Sequence, residues 1–214
     1  MANTHTYSRR EEIANAITHG FGSMLSVAAL VLLIVFAVLD GDAFHVVSFT
    51  IYGSMMLLLY VASTLVHSFP EGKWKRIFEI IDHACIYLFI AGTYTPIVLH
   101  GVKGTEGWTL FGIVWGLALC GVVFKVFFAS RFLFTSTIVY LLMGWMLVIA
   151  WGPLKANIAA GGLHLLLAGG LLYTFGTFFY MWRSFKYHHA VWHLFVLGGT
   201  VLHFFAIMLY VLPR

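Results

Sequence analysis

The chain consists of long apolar runs that follow one another with only short polar gaps. Each run reaches the length of about 20 residues that a helix needs to cross a bilayer at ~1.5 Å per residue. Only 9% of the 214 residues are charged and 61% are hydrophobic, whereas roughly a quarter of the residues in a soluble domain are charged. This pattern excludes an ordinary soluble domain and predicts an all-α integral membrane protein.

Hydropathy predicts a bundle of seven transmembrane helices. The spans fall at about 18–39, 46–68, 77–99, 108–128, 132–152, 158–181 and 190–212. Residues 1–16 are predicted to form a short cytoplasmic segment, and residues 17–214 a single seven-helix membrane domain. We expect the first run to be a retained helix, because Glu11 and Glu12 lie where a cleavable signal peptide would be basic.

The distribution of basic residues predicts the orientation of the bundle. Nine of the 12 Lys and Arg residues lie at the N-terminus and in alternate gaps, against three on the other side. This places the N-terminus in the cytoplasm and the C-terminus outside. The formal charge of +4 is explained by this asymmetry, and since the basic residues form no stripe or patch, no nucleic-acid partner is predicted.

Small residues within the spans are expected to serve packing. Cys85 and Cys120 lie inside apolar runs, where cysteine usually behaves as a small packing residue, so we expect no disulfide. Gly112 and Gly116 have the spacing that allows membrane helices to approach closely, and we expect them at a helix contact.

A few ionisable residues lie at membrane depth, where each costs at least ~2.5 kcal/mol on insertion scales. With the N-terminus inside, the second span ends on the cytoplasmic side, and the third and seventh spans begin there. His67, Asp82, His189 and His193 then share one layer. His189 and His193 are four residues apart, which places them on one helix face about one turn apart, and Ser63 and His67 have the same spacing. Loop charges and polar positions therefore agree in predicting a site in this layer.

Three imidazoles from two helices match the ligand set of a catalytic zinc site, which keeps a fourth position for water. Asp82 would hold that water and offset part of the charge of the metal, and zinc can lower the pKa of such a water to ~7. The competing interpretation is a histidine that hydrogen-bonds a neighbouring helix. We expect that role for His203, which lies ~15 Å deeper than His193. Spacing and topology leave both interpretations of the cluster open.

Four segments carry a family resemblance. They are EEIANAITHG (11–20), STLVH (63–67), IDHACIYLFIAGTYTP (81–96) and HHAVWHLFVLGGTVLHF (188–204). The last three resemble the hallmark segments of the hemolysin III family, and the first resembles its N-terminal segment. That family is the bacterial branch of the progestin and adipoQ receptor superfamily, which includes the adiponectin receptors.

The resemblance implies seven helices with the N-terminus inside and a zinc ion held by three histidines. These match His67, His189 and His193 of this chain. Asp82 matches the residue that holds the water on zinc, and Ser63 matches the serine of the first motif, so both are candidate catalytic residues.

Glu12, His19 and His83 are further candidates, expected to support the site from the first and third helices. The implied location is the bacterial inner (cytoplasmic) membrane. The expected partner is a membrane lipid, as substrate or ligand, and protein partners are left unspecified.

Several functions are compatible with these residues. The resemblance implies a zinc-dependent hydrolase of a lipid amide or ester, with ceramidase-like chemistry, that serves membrane fluidity and energetics. The alternative is a lipid-sensing or receptor-like protein with structural zinc, and a lesser alternative is a pore-forming haemolysin. Haem binding through paired histidines stays open. A serine hydrolase built on Ser63 is disfavoured because no nucleophile-elbow motif is present, and a retinal protein is excluded because the seventh span contains no lysine.

Overall fold

The structure is a computed structural model that describes residues 7–128 and 131–213. The first six residues of the predicted N-terminal segment, residues 129–130 and Arg214 lie outside the described residues. The helices are α1 (Arg9–Asp40), α2 (Ala43–Ser68), α3 (Lys73–Pro96), a π-helix (Ile97–Val102), α4 (Gly104–Phe128), α5 (Leu133–Trp145), a 3-10 helix (Met146–Ala150), α6 (Trp151–Asn157), α7 (Ala160–Met181) and α8 (His188–Tyr210).

Seven of the helical segments in the described ranges are long and apolar enough to cross a membrane. The π-helix extends the third span beyond Pro96, and α5, the 3-10 helix and α6 together form the fifth span. The described residues contain no strand. The prediction of an all-α integral membrane protein with seven spans is therefore confirmed.

Helix α1 begins at Arg9, whereas the first predicted span begins near residue 18. The Ser8 side chain accepts a hydrogen bond from the backbone of Glu11, and the Glu11 carboxylate lies 3.0 Å from the Ser8 backbone nitrogen. This capping box starts a helix in polar sequence, which a hydropathy window does not detect. Its consequence is that Glu12 and Asn15 lie on a helix that continues into the bundle.

The break between α5 and α6 is stabilised by Tyr94 of α3. Its hydroxyl oxygen lies 2.8 Å from the carbonyl oxygens of Met143 and Gly144 and accepts a 2.7 Å hydrogen bond from the backbone nitrogen of Leu147. A break in a membrane helix leaves backbone groups that need partners. A side chain of α3 thus supplies partners for the interrupted backbone of the fifth span.

Glycine permits close packing of α7 against α8. A Cβ atom added to Gly169 would lie 2.3 Å from a ring carbon of His203 and 3.1 Å from the backbone oxygen of Gly199. As expected, His203 bonds a neighbouring helix, with its Nε2 3.0 Å from the Leu166 carbonyl oxygen. Two consecutive helices therefore meet with little space between their backbones.

The expectation for Gly112 and Gly116 is wrong within the described residues. A Cβ atom at either position would meet nothing within 4 Å. Helix α4 instead buries Ala118 and Gly121, and Gly121 packs against the Tyr87 ring. The inward face of α4 is thus offset from the face that the glycine spacing marks. The two cysteines form no disulfide, as predicted.

Candidate metal centre and adjoining cavity

Three histidines from α2 and α8 meet at the end of the bundle where α1 begins. Each of His67, His189 and His193 offers one nitrogen such that the three atoms lie within 4.8 Å of one another, and all three residues are buried. His67 is in the last turn of α2, whereas His189 and His193 lie on adjacent turns at the start of α8. The structure thus brings together the three histidines that the sequence predicts as metal ligands.

Helix α1 fixes the orientation of His67 through Glu12. The His67 Nδ1 atom lies 2.6 Å from Glu12 Oε2, and the Lys75 ammonium lies 2.5 Å from the other oxygen of that carboxylate. The nearby cation favours the ionised carboxylate, which only accepts hydrogen bonds. His67 must therefore carry its proton on Nδ1, leaving the lone pair on Nε2.

Helix α1 fixes His193 in the same way. Its Nδ1 atom lies 3.2 Å from the backbone oxygen of Asn15 and 3.0 Å from the Thr18 hydroxyl. A backbone carbonyl is only an acceptor, so Nδ1 donates and the lone pair of His193 is on Nε2. Histidines that bind metals usually donate their second ring N–H to a carboxylate or a carbonyl. His67 and His193 both have this arrangement.

The remaining nitrogens supply a test of whether a cation fits. Nε2 of His67, Nε2 of His193 and Nδ1 of His189 are buried and have no hydrogen-bond partner among the described residues. A buried unpaired polar group costs about 1–3 kcal/mol, and three such groups in one cluster are unusual. A cation accepts all three lone pairs at once, so this donor set fits a bound metal ion.

Asp82 lies beside the histidines without belonging to the ligand set. It is half-buried on α3 and lines the cavity described below. Ser63, one turn before His67 on α2, lies near the Asp82 carboxylate. The structure therefore connects Asp82 and Ser63 to each other at the margin of the histidine cluster.

The other candidates from the first and third helices take different positions. His19 stacks on His193, with ring centroids 3.4 Å apart and ring planes 13° from parallel. His83 points to α7, because its Nδ1 lies 2.8 Å from the Glu79 carbonyl oxygen and its Nε2 lies 3.5 Å from the Tyr180 hydroxyl. Glu12 and His19 thus touch ligand histidines, whereas the hydrogen bonds of His83 involve groups on α3 and α7.

Tyr7 covers the outer side of the cluster. Its ring centroid lies 5.1 Å from that of His189 and 6.0 Å from that of His67. Burial raises the pKa of the Tyr7 phenol well above its usual range, so the phenol stays neutral at physiological pH. The segment before α1 therefore places an uncharged aromatic ring over the candidate metal centre.

An apolar cavity of about 170 Å³ begins beside the histidine cluster and extends along the bundle; its lining includes His19, which stacks on His193, but none of the three clustered histidines. His19 and Asp82 line it near the cluster, and Ile97 and Trp151 line it at the far end. Asp82 and Ile97 are both on the third span, and at ~1.5 Å per residue they are ~22 Å apart along it. The cavity thus extends through about two thirds of a bilayer core of ~30 Å.

Several residues that shape this site were not predicted from the sequence. Lys75 and Thr18 contact Glu12 and His193, and the backbone of Asn15 bonds His193. Glu12, Asn15 and His19 are spaced by three and four residues, which is the spacing of one helix face. That polar stripe marks this face of α1 in the sequence, but it does not indicate which of its groups bond His193, and it includes neither Lys75 nor Thr18.

Comparison with known proteins yields a consistent family. Residues 7–204 match the family model described as "Haemolysin-III related". The chain is 56% identical over 204 residues to the "Hemolysin-3 homolog" of Bacillus subtilis (strain 168), covering 95% of this chain and 96% of that protein. It is 52% identical over 204 residues to "Hemolysin-3" of Bacillus cereus, covering 95% and 93%.

A more distant similarity extends to mammals. The chain is 28% identical over 206 residues to the "Monocyte to macrophage differentiation factor" of Homo sapiens, covering 94% of this chain and 84% of that protein. The family match covers residues 7–204, a range that contains the three clustered histidines, and each bacterial relative matches 95% of the chain. The chain therefore belongs to the haemolysin-III related family of integral membrane proteins.

Proposed function

We propose that this protein is a zinc-dependent intramembrane hydrolase that cleaves an amide or ester of a membrane lipid. The observation that carries the proposal is the position of the three-histidine cluster at one end of a long apolar cavity, with the Asp82 carboxylate at the junction. The cavity suits an acyl chain, and the junction provides the polar groups that hydrolysis requires.

Zinc is the proposed metal because three histidines with a fourth position for water form a common catalytic zinc site. Tetrahedral ligands ~2.1 Å from the ion are about 3.4 Å apart, so the histidine nitrogens, within 4.8 Å of one another, need only small side-chain rotations. Zinc supplies Lewis-acid polarisation of the carbonyl group and lowers the pKa of water.

The protein residues have defined tasks in this reaction. Asp82 orients the attacking water, accepts its proton and returns that proton to the departing nitrogen or oxygen. Ser63 is assigned the task of holding the Asp82 carboxylate in place by donating a hydrogen bond to it. One water is consumed, the C–N or C–O bond breaks, and a fatty acid and an amine or alcohol are released.

The proposed location follows from the predicted orientation. With the N-terminus in the cytoplasm, the histidine cluster lies on the cytoplasmic side of the bacterial inner membrane. Lipids of the inner leaflet would then reach the cavity with their polar groups at the depth of the cluster. The proposed role is control of membrane lipid composition, with no nucleic acid as partner.

The first experiment measures metal and turnover in the purified protein. Elemental analysis should give one zinc per chain, and His193→Ala should lose it. The matched control is His164→Ala, which changes an exposed histidine near the start of α7, at the opposite end of the bundle. A preparation without zinc in the wild type, or zinc retained by His193→Ala, contradicts the site.

The second experiment separates catalysis from metal binding. Asp82→Asn should keep its zinc while hydrolysis of a fluorogenic N-acyl amide lipid falls by about 10²–10⁴-fold, the usual contribution of general acid–base catalysis. Equal turnover by Asp82→Asn and the wild type would exclude the proposed role of the carboxylate.

A second candidate function is lipid sensing with a structural metal. It is favoured by the hydrogen bonds that join α1 to both ligand helices, from Glu12 to His67 and from Asn15 to His193. A metal ion at this junction would hold three helices together. This function predicts that chelation lowers the melting temperature while lipids are bound and never converted, whereas the hydrolase requires conversion. Pore formation is a lesser alternative carried by the family description alone.

A further inference from the structure

Two polar side chains of α1 lie fully buried beside the metal centre. Asn15 is 0% exposed and His19 is 1% exposed. Neither the amide atoms of Asn15 nor the ring nitrogens of His19 form a hydrogen bond of ordinary geometry with the described residues. The two residues are four apart, so their side chains lie on one face of α1 about one turn apart. They are called the Asn15–His19 pair below.

The lack of hydrogen-bond partners for the side-chain polar atoms of this pair makes an unfavourable contribution to the free energy of folding. Buried polar groups are nearly always hydrogen-bonded, and an apolar residue would occupy the same space without the desolvation penalty. The His193 backbone lies near enough to attract the His19 ring weakly, but this contact leaves at least one ring nitrogen without a partner. A polar group from outside the chain is therefore the partner that this pair lacks.

The position of His19 shows where that group would lie. The ring is held between the face of His193 and the edge of Tyr60, whose centroid is 4.9 Å away. These two contacts limit its rotation. His19 also lines the apolar cavity, so it stands where the cavity meets a candidate metal ligand.

The chemistry of the pair specifies the kind of group. A neutral imidazole offers one donor and one acceptor, and a carboxamide offers both as well. Together they match a hydroxyl or an amide, which also donates and accepts. Among the described residues that line the cavity, Asp82 is the single charged group and no Lys or Arg is present. An anionic phosphate would therefore find no cationic side chain among the residues that line the cavity.

We propose that the Asn15–His19 pair hydrogen-bonds an uncharged hydroxyl or amide of the lipid in the cavity and so positions its polar end beside the metal centre. This inference rests on the proposed function for the presence of a lipid. It adds a recognition site on α1, a helix that contributes none of the three candidate metal ligands. Through this site, α1 would determine which uncharged polar group of a lipid is bound.

The test measures binding without turnover, because every protein titrated, called wild type or variant below, also carries Asp82→Asn, the substitution expected to keep zinc and stop hydrolysis. Two probes with the same 9,10-dibromostearoyl chain are compared, the N-acyl ethanolamine, which carries an amide and a hydroxyl, and the methyl ester, which has no hydrogen-bond donor. Bromine quenches tryptophan fluorescence on contact, and Trp145 and Trp192 line the cavity. Titration of the full-length protein in detergent then gives a Kd for each probe.

The wild type should bind the ethanolamine about tenfold more tightly than the methyl ester, the ratio that two net hydrogen bonds provide. His19→Phe and Asn15→Leu should each lower this preference to about threefold, the ratio left by one of the two hydrogen bonds, and together should abolish it, while the Kd of the methyl ester stays unchanged. His19→Gln, which keeps a donor and an acceptor, should retain most of it. The matched control is Ser26→Ala on the same helix, because Ser26 is buried with its hydroxyl already bonded to the Gly22 carbonyl.

Three results would overturn the inference. The first is a wild type that binds both probes equally, which means that water alone is the partner of the pair. The second is a His19→Phe variant that keeps the full preference. The third is a His19→Phe variant that binds both probes more weakly by the same factor, which means that the pair only supports packing. Failure of the hydrolase proposal gives a different result. In that case the protein with Asp82 intact never cleaves either probe, while the preference and its reduction in His19→Phe persist.

Discussion

The contact between Glu12 and His67 leads to a quantitative prediction for metal affinity. The two side chains are 16% and 6% exposed, and their 2.6 Å separation is that of a short, charge-assisted hydrogen bond. Loss of such a partner typically lowers the metal affinity of a histidine site by about 10–100-fold. At 1.4 kcal/mol per tenfold, this is about 1.4–2.8 kcal/mol.

Two substitutions at this position should span that range. Glu12→Gln keeps an oxygen that can accept from His67 Nδ1 but removes the charge, so we expect a loss of affinity near tenfold. Glu12→Ala removes the acceptor as well and should approach 100-fold. The assay is competition for zinc against a chelator of known affinity, at fixed pH because protons compete for the same imidazoles.

Glu11→Gln provides the matched control. Glu11 is the adjacent carboxylate, but it bonds Ser8 and the backbone nitrogen of Tyr187 instead of a ligand histidine. Its substitution should leave zinc affinity within about twofold of the wild type, below the usual effect of removing a support for a ligand. Wild-type affinity in Glu12→Ala, or an equal loss in Glu11→Gln, would refute the reasoning.

Two further predictions concern stability and are measured by thermal unfolding in detergent. Tyr94→Phe leaves the backbone nitrogen of Leu147 without its partner and should destabilise the protein by about 1–3 kcal/mol. Tyr52→Phe should be neutral or stabilising, because that buried hydroxyl has no hydrogen-bond partner among the described residues. Equal losses of stability in the two variants would contradict the role of Tyr94. Gly169→Ala should destabilise the protein by about 1–3 kcal/mol, because the added Cβ atom meets α8. Gly112→Ala should leave the stability unchanged, because a Cβ atom there meets nothing within 4 Å. A larger loss of stability in Gly112→Ala than in Gly169→Ala would contradict the described packing of α7.

Residues of the site could be predicted from the sequence where their position depends on a single helix or on the order of the spans. The spacing of His189 and His193 is a property of one helix, and the alternation of spans brings His67 to the same end, so both could be inferred without coordinates. Asn15 could not be found in this way. Its contact with His193 uses a backbone carbonyl, which every residue carries, and only the packing of α1 against α8 makes this one an acceptor.

The fold was predictable to the level of the spans and less so within them. Apolar length predicts seven helices, but the interruption after Trp145 depends on the hydroxyl of Tyr94, a residue of another helix. The early start of α1 depends on the cap at Ser8, which lies in polar sequence. A hydropathy profile averages over about 19 residues, so it does not detect a helix start or a helix break that depends on one side chain.

The contacts of α1 with the histidine cluster have a consequence for biogenesis. Glu12 and His67 are separated by 55 residues, and Thr18 and His193 by 175, so the contacts around the cluster join the first and the last of the seven described spans. A nascent chain that has inserted only its early helices cannot assemble the three imidazoles. On the proposal that the cluster binds a metal, acquisition of the ion would follow the insertion of α8, and a chain truncated before α8 would be unable to retain it.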